Sequence, residues 1–337
     1  VSTQALRPPA RVLVTGAAGF IGAYVCQALL ARGDSVIGID SFNDYYSPQL
    51  KHDRVAALLG ANRTVVQQLD LTDTDALREL VLRSGIERIV HLAAQAGVRY
   101  SLEAPFKYAD ANLLGFLSVL EAARAGKVQH LVYASSSSVY GGNRRVPFSE
   151  SDPTDTPISL YAASKKANEA MAHSYAHLYG IPATGLRFFT VYGPWGRPDM
   201  APLLFTRALL ERRPIEVFNG GDMQRDFTHI SDIVNGVLGA LDHPASAEHG
   251  APHQIFNLGN HRPERLNDFI ELIEQAVGES AVRVLKPMQP GDVPITFADI
   301  SRAAAAFGYA PSVALKDGIP PLVAWCRSYF AAPNSSA

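Results

Sequence analysis

RVLVTGAAGFIG, residues 11–22, joins a short run of valine and leucine to three spaced glycines and then to an apolar segment that continues to Ala31. The run predicts a buried strand over 11–15, and Phe20–Ala31 is long and apolar enough for a buried helix. In the turn between them Gly16 permits a tight bend and Gly19 lets backbone approach a pyrophosphate. Gly22 lets the helix pack closely on the strand. The N-terminus of such a helix offers free N–H groups and partial positive charge to phosphate oxygens. The spacing is GxxGxxG rather than the commoner GxGxxG, and turns and helix packing also use glycine, so the surrounding sequence must decide.

The segments that follow repeat the pattern. SVIGID (35–40), TVVQQLD (64–70), RIVHLA (88–93), HLVYASSS (130–137) and ATGLRFF (183–189) read as strands, with helical patterns between them. Alternation of this kind predicts an α/β fold with a doubly wound parallel sheet of Rossmann type. After Thr190 the pattern changes: proline and glycine become dense in GPWGRP (193–198) and NGGD (219–222). The expected organisation is a dinucleotide-binding domain over 1–189 with a return around 228–260, through IFNLGN (255–260). A smaller α/β substrate lobe covers mainly 190–330, and a frayed tail 331–337.

Composition narrows the function. The 337 residues are 47% hydrophobic and 18% charged, ample for a large core. Thirty Lys+Arg against thirty-two Asp+Glu leave a net charge of −2, which argues against nucleic acid and against a polybasic membrane anchor. No apolar run reaches the ~18 residues of a membrane span. Cys26 and Cys326 lie 300 positions apart and read as free thiols of a reducing compartment. VSTQALRPPA, residues 1–10, does not look like a signal peptide, so a cytoplasmic location is expected, although the chain begins with Val1 and a removed segment stays open. The ten histidines show no metal-ligand spacing, and His91, in a buried strand pattern, reads as a core histidine.

Two features give the glycine turn its context. Asp40 ends the second strand, 18 residues after Gly22, where a carboxylate accepts hydrogen bonds from an adenosine ribose diol and repels a 2′-phosphate; this favours NAD over NADP. Asp70, at the end of the third strand, reads equally as an adenine contact or as the N-cap of the next helix. Tyr161-Ala-Ala-Ser-Lys165 places a phenol and an ammonium on one helix face. The ammonium is expected to lower the tyrosine pKa, and an oxidised nicotinamide to add to that, leaving a general base near neutral pH.

TGAAGFIG, HLAAQAGVR, YASSSSVYG, YAASK, RFFTVYGP and RDFTHISD together resemble the extended short-chain dehydrogenase/reductase family over roughly residues 11–300. Within it, SFNDYYSPQLK (41–51), SLYAASKKANE (159–169), RFFTVYGPWGRPDMA (187–201) and MQPGDVP (288–294) resemble the UDP-glucuronate 4-epimerases. The resemblance implies a catalytic Ser136, Tyr161 and Lys165, with the serine hydroxyl bonding the sugar 4-oxygen. It implies an NAD site of Gly16, Gly19, Phe20, Ile21, Gly22, Asp40, Asp70, Leu71, Leu92, Ala93, Ala94, Asn112, Tyr161, Lys165 and Phe188. Asn112 would help place the lysine and water, and Phe188 would lie beside the nicotinamide; a polar spot in a helix and simple packing are the alternatives.

For the UDP-sugar, Arg225 matches a diphosphate clamp, with a surface ion pair to Asp226 as the alternative, and Asp292 matches a uridine-ribose contact. Gln289 stands where UDP-galactose 4-epimerases typically carry arginine. Ser137, Ser138, Thr190, Arg197 and Arg99 are the candidates for a sugar carboxylate. Dehydratases and UDP-glucuronate decarboxylases of the family carry an acid before VYG. Ser136-Ser137-Ser138 has none, which leaves reversible oxidation at one carbon. The implied activity is 4-epimerisation of UDP-glucuronic and UDP-galacturonic acid by a homodimer with tightly held NAD. The rivals are a 4-epimerase of UDP-N-acetylated hexoses or their uronic acids, a UDP-glucuronate decarboxylase, and a non-enzymatic NAD-binding scaffold.

Overall fold

Four of the five residues of Arg11–Thr15 (β1) are buried, because this strand lies inside a sheet with a parallel neighbour on each side. The computed structural model describes residues 9–248, 250–288 and 293–331. From β1 the chain passes through α1 (Phe20–Ala31), β2 (Ser35–Asp40), α2 (Pro48–Leu59), β3 (Val66–Gln68), α3 (Thr74–Ser84) and β4 (Arg88–His91). Two short helices, α4 (Tyr100–Glu103) and α5 (Pro105–Tyr108), lead through a π-turn at Ala109–Leu114 into α6 (Gly115–Ala125). Then come β5 (His130–Ser136), α7 (Leu160–Tyr179) and β6 (Ala183–Phe188).

The later part contains β7 (Thr190–Tyr192), α8 (Ala201–Leu210), β8 (Ile215–Phe218), β9 (Gln224–His229), α9 (Ile230–Asp242) and β10 (His253–Leu258). It closes with β11 (Pro263–Arg265), α10 (Leu266–Val277), β12 (Arg283–Lys286), β13 (Ile295–Thr296), α11 (Ser301–Phe307) and α12 (Leu315–Ala331). The seven-stranded sheet runs β10-β6-β5-β4-β1-β2-β3, and every pairing in it is parallel. The fold is therefore α/β and doubly wound. Its order reverses between β1 and β4, which opens a crevice at the carboxyl ends of the strands.

Each face of the sheet has its own apolar cover. Val25 and Leu29 of α1 meet Ile233 and Val237 of α9 on one side. Leu77 and Leu80 of α3 meet Phe116 and Leu120 of α6 on the other. A third cluster, with Phe227, Phe269, Ile270 and Leu322, fills the smaller lobe.

Several strands stop earlier than their sequence suggests. The third is only Val66–Gln68, because it is an edge strand that pairs with β2 over three residues, and Gly60–Val65 winds into a 3₁₀ turn instead. Asp70 thus lies beyond the strand, and the N-cap of α3 is Asp73, whose carboxylate accepts the Ala76 N–H. The fourth strand ends at His91, the fifth at Ser136 and the sixth at Phe188. Each ends where the chain turns out of the sheet toward the crevice.

Candidate active site

One cleft of about 460 Å³ lies over the carboxyl ends of the main sheet. At one end the β1–α1 turn forms a backbone cradle. Gly16 has φ +69°, and a Cβ there would lie 2.7 Å from the Ala93 nitrogen. A Cβ on Gly22 would lie 2.0 Å from the Gly16 carbonyl oxygen, so the glycine lets the helix close on its own turn rather than on the strand. Gly19 caps α1 without any side-chain acceptor, and Gly19, Phe20, Ile21 and Gly22 all line the cleft. Asp40 accepts the Ala18 N–H at 3.1 Å and the Phe42 N–H at 2.8 Å, which ties the end of β2 to the turn. Asp70, Leu71, Leu92, Ala93 and Ala94 continue the same wall. The Asp70 carboxylate accepts the N–H and hydroxyl of Thr72.

At the other end, α7 begins with Ser159 as its N-cap, which sets Tyr161 in the first turn and Lys165 one turn later. Both face β5, whose last residue is Ser136, and all three line the cleft. The Ser136 hydroxyl acts on the Tyr161 phenol, favouring its ionised form. Ser136 also accepts the Ser138 hydroxyl at 2.9 Å and the Ser138 N–H at 3.2 Å. Lys165 is 1% exposed and donates to the Ala134 carbonyl at 3.0 Å. Burial draws its ammonium from 10.5 down to about 8. Burial raises the Tyr161 phenol above 10.0, opposed by the Ser136 hydrogen bond and then by the positive charge of Arg197. In the chain alone, the groups that favour tyrosinate are thus Ser136 and Arg197 rather than Lys165, whose own charge is penalised by the same dry site.

Ser137, Ser138, Phe188, Thr190, Arg197 and Arg225 join this part of the cleft. Phe188 is the last residue of β6 and Thr190 the first of β7, where it pairs with Phe227 of β9. Arg225 donates to the carbonyls of Gln224 and Pro294. Two sequence candidates lie outside the cleft lining. The Arg99 guanidinium rests over the Phe218 ring, 4.9 Å from its centre, at the start of α4. Asn112 is buried in the π-turn, where its amide bonds both backbone groups of Gln95 and the Ser164 hydroxyl, so it braces the residue beside Lys165 without touching the ammonium. Gln289 and Asp292 lie outside the described residues. His91 is a core histidine: it bonds the Thr15 hydroxyl at 2.8 Å, and burial lowers its pKa to about 3.

The segment after β2 supplies cleft residues whose roles its sequence did not reveal. Asn43, Tyr45, Tyr46 and Lys51 line the cleft, and they belong to SFNDYYSPQLK, a stretch given no residue roles. Lys51 is 4% exposed and donates to the backbone and side-chain oxygens of Asn43. Among the described residues that line the cleft, the only carboxylates are Asp40 and Asp70. Both belong to the β2–β3 end. β5 stands three strands from β2, roughly 14 Å at ordinary strand spacing.

A glycine cradle for phosphates joined to a Ser-Tyr-Lys site at the next carboxyl edge defines a dinucleotide-dependent enzyme of the short-chain type. The family model for the NAD dependent epimerase/dehydratase family matches residues 12–259, and the chain belongs to that family. UDP-glucuronate 4-epimerase 2 of Arabidopsis thaliana is 48% identical over 331 residues, covering 95% of this chain and 76% of the relative. The probable UDP-glucuronate 4-epimerase of Rhizobium meliloti is 45% identical over 328 residues, 94% of this chain and 96% of the relative. The crystal structure of UDP-glucuronic acid 4-epimerase from Bacillus cereus in complex with UDP-glucuronic acid and NAD superimposes with a TM-score of 0.86 at 35% identity, over 94% of this chain and 99% of that one.

Proposed function

We propose that this chain is an NAD-dependent epimerase that interconverts UDP-glucuronic acid and UDP-galacturonic acid at C4. The observation that carries the reading is the content of the sugar end of the cleft. Ser136, Tyr161 and Lys165 stand together, hydroxyls of Ser137, Ser138 and Thr190 and the Arg197 guanidinium surround them, and the carboxylates lie at the far end. The uncapped α1 N-terminus, the glycines that admit no Cβ and the Asp40 carboxylate fit NAD. When bound, NAD supplies the acceptor and donor of hydride for C4.

The residues of the chain handle the proton and the sugar. Ser136 bonds the 4-oxygen and Tyr161 takes its proton as C4 is oxidised. The 4-keto sugar turns about its diphosphate linkage and presents its other face, and Tyr161 returns the proton as C4 is reduced. Lys165 sets the field of the site from beneath. Ser137, Ser138, Thr190 and Arg197 hold the C5 carboxylate in both ring orientations; each charge-assisted hydrogen bond of this kind is worth roughly 1.5–3 kcal/mol. With no acid among the serines of 136–138, removal of the C5 proton lacks a base, so oxidation ends in re-reduction rather than elimination. Arg225, beside β13 and the Pro294 carbonyl, is the proposed diphosphate clamp.

A homodimer is part of this reading. Leu102, Phe106, Leu114 and Leu117 on the α4–α6 segment and Leu178 and Tyr179 on α7 are exposed, and α6 and α7 pack side by side, which leaves an apolar helix pair for a second copy. A cytoplasmic location is proposed from the two unbridged thiols, Cys26 and Cys326. The test of the activity is a panel of UDP-sugars incubated with the purified protein without added cofactor. UDP-galacturonate from UDP-glucuronate, together with NAD in the acid-released nucleotide, is expected. Turnover of UDP-glucose at equal kcat/KM, or NADP as the main nucleotide, contradicts it.

A further inference from the structure

Three segments distant in sequence meet beside Arg197. Its guanidinium makes a two-pronged contact with Asp199, through Nε at 3.1 Å and through Nη2. The other partner of that carboxylate comes from the far side of the cleft: the Tyr45 hydroxyl donates to Asp199 Oδ2 at 3.0 Å, across 154 positions of sequence. The third segment is the loop after β4. Gly97 has φ +102°, and a Cβ there would lie 2.8 Å from the Tyr45 hydroxyl and 3.8 Å from Arg197 Nη2. Tyr108 fixes that loop by donating to the carbonyls of Ala96 and Gly97.

The stem of the Arg197 loop is held from the cofactor side. Buried Arg54 donates to the Trp195 carbonyl at 2.9 Å and to the Ala18 carbonyl of the phosphate-binding turn at 2.6 Å. Tyr24 of α1 donates to the Pro194 carbonyl at 3.1 Å. The loop is thus fixed at its base by α1 and α2, while the bond that reaches its tip from across the cleft is that of Tyr45 to Asp199. Arg197 lines the cleft and its charge reaches Tyr161. An arginine so exposed to two environments needs a fixed counterion to keep one geometry.

We propose that Tyr45 and Asp199 are positioning residues for Arg197: together they form a clasp that aims the guanidinium at the sugar end of the cleft, so that recognition of the sugar carboxylate depends on closure of the segment after β2. The proposal rests on the substrate reading given above. It makes the cofactor-side loop a determinant of substrate choice through Arg197. Burial alone would raise the Asp199 carboxyl, but the charge and hydrogen bonds of Arg197 outweigh it and hold the group ionised, as a clasp requires. Tyr45→Phe is the mild probe, since its ring keeps its contact with Tyr100, 4.8 Å between centres.

The experiment is a double-mutant cycle of Tyr45→Phe with Arg197→Ala, read as kcat/KM for UDP-glucuronate and as Kd for UDP by calorimetry. Where turnover is too slow, Kd for UDP-glucuronate replaces kcat/KM. Tyr45→Phe alone is expected to lower kcat/KM at least fivefold, mainly through KM, with Kd for UDP and the NAD content within twofold of wild type. In the Arg197→Ala background the same change is expected to cost less than twofold. Asp199→Asn should follow Tyr45→Phe in both measurements. An unchanged kcat/KM in Tyr45→Phe, an equal loss with and without Arg197, or a parallel loss of UDP affinity overturns the proposal. A wild-type protein that does not turn over UDP-glucuronate overturns the substrate reading and this inference with it.

Discussion

Tyr161 and Lys165 divide the work of one dry corner, and each has a measurable signature. Tyr161→Phe removes the hydroxyl proposed to exchange a proton with the 4-oxygen and leaves the ring packed near Tyr108. Turnover should fall at least ~10²-fold, with NAD content retained; a rate near wild type would remove Tyr161 from the mechanism. Lys165 offers a prediction of opposite sign in stability. Its folded-state pKa of about 8 lies below the ordinary 10.5, so below pH 8 the full cost of burying the ammonium is present. Between those values the unfolded chain binds more protons than the folded one, and wild-type stability therefore gains as pH rises through the window. Lys165→Met should abolish activity yet raise Tm by about 2–4 °C at pH 7. That gain should shrink between pH 8 and 10.5 and vanish above. A variant destabilised at pH 7 would show that the hydrogen bond to Ala134 outweighs the burial of charge. Both residues were legible in the sequence, because four residues along a helix put them on one face. Their electrostatics were not, since the dry surroundings that raise the Tyr161 pKa and lower that of Lys165 come from strands and loops distant in the chain.

At the scale of elements, α7 has to present Tyr161 to β5, and what seats it is a buried charge pair. Glu169 accepts from Arg187 Nε at 2.8 Å and Nη2 at 2.9 Å, and from the Ser135 hydroxyl at 2.6 Å, with both charged side chains 3% exposed. Removing one member leaves a buried charge without its partner. Glu169→Ala should therefore cost about 3–5 kcal/mol in urea unfolding. The exposed pair Arg124–Glu121 on α6 should contribute little. A loss below ~1 kcal/mol for Glu169→Ala would contradict the seating of α7. The succession of elements was readable because β-branched runs alternate with apolar helices between glycine turns. The extent of β3 was not, since its length is set by a single neighbour over three residues rather than by its own composition. The clasp of Tyr45 on Asp199 and the placing of Arg99 over Phe218 were equally hidden. Both depend on loops that only the folded sheet brings together.

The whole molecule carries two claims, one about assembly and one about chemistry. Phe106 is 82% and Leu178 64% exposed, on helices whose neighbours already satisfy the rest of their apolar faces. If a second copy covers them, Phe106→Arg with Leu178→Arg should convert a dimer to a monomer in sedimentation or size-exclusion measurements, with NAD content unchanged. A wild-type protein that is already monomeric would contradict the dimer. Among the described residues no helix is long and apolar enough to cross a membrane. The chemistry follows from how the cleft is laid out: acids at the β2–β3 end, hydroxyls and Arg197 around Ser136, Tyr161 and Lys165, and one continuous wall between. The direct test is to incubate the purified protein, without added cofactor, with UDP-glucuronate carrying deuterium at C4, and to follow the sugar by nuclear magnetic resonance. UDP-galacturonate that keeps the deuterium at C4 is expected, because the C4 hydrogen leaves and returns within a single turnover. A product that has lost the label, or a pentose formed with release of CO2 as the main outcome, would contradict it.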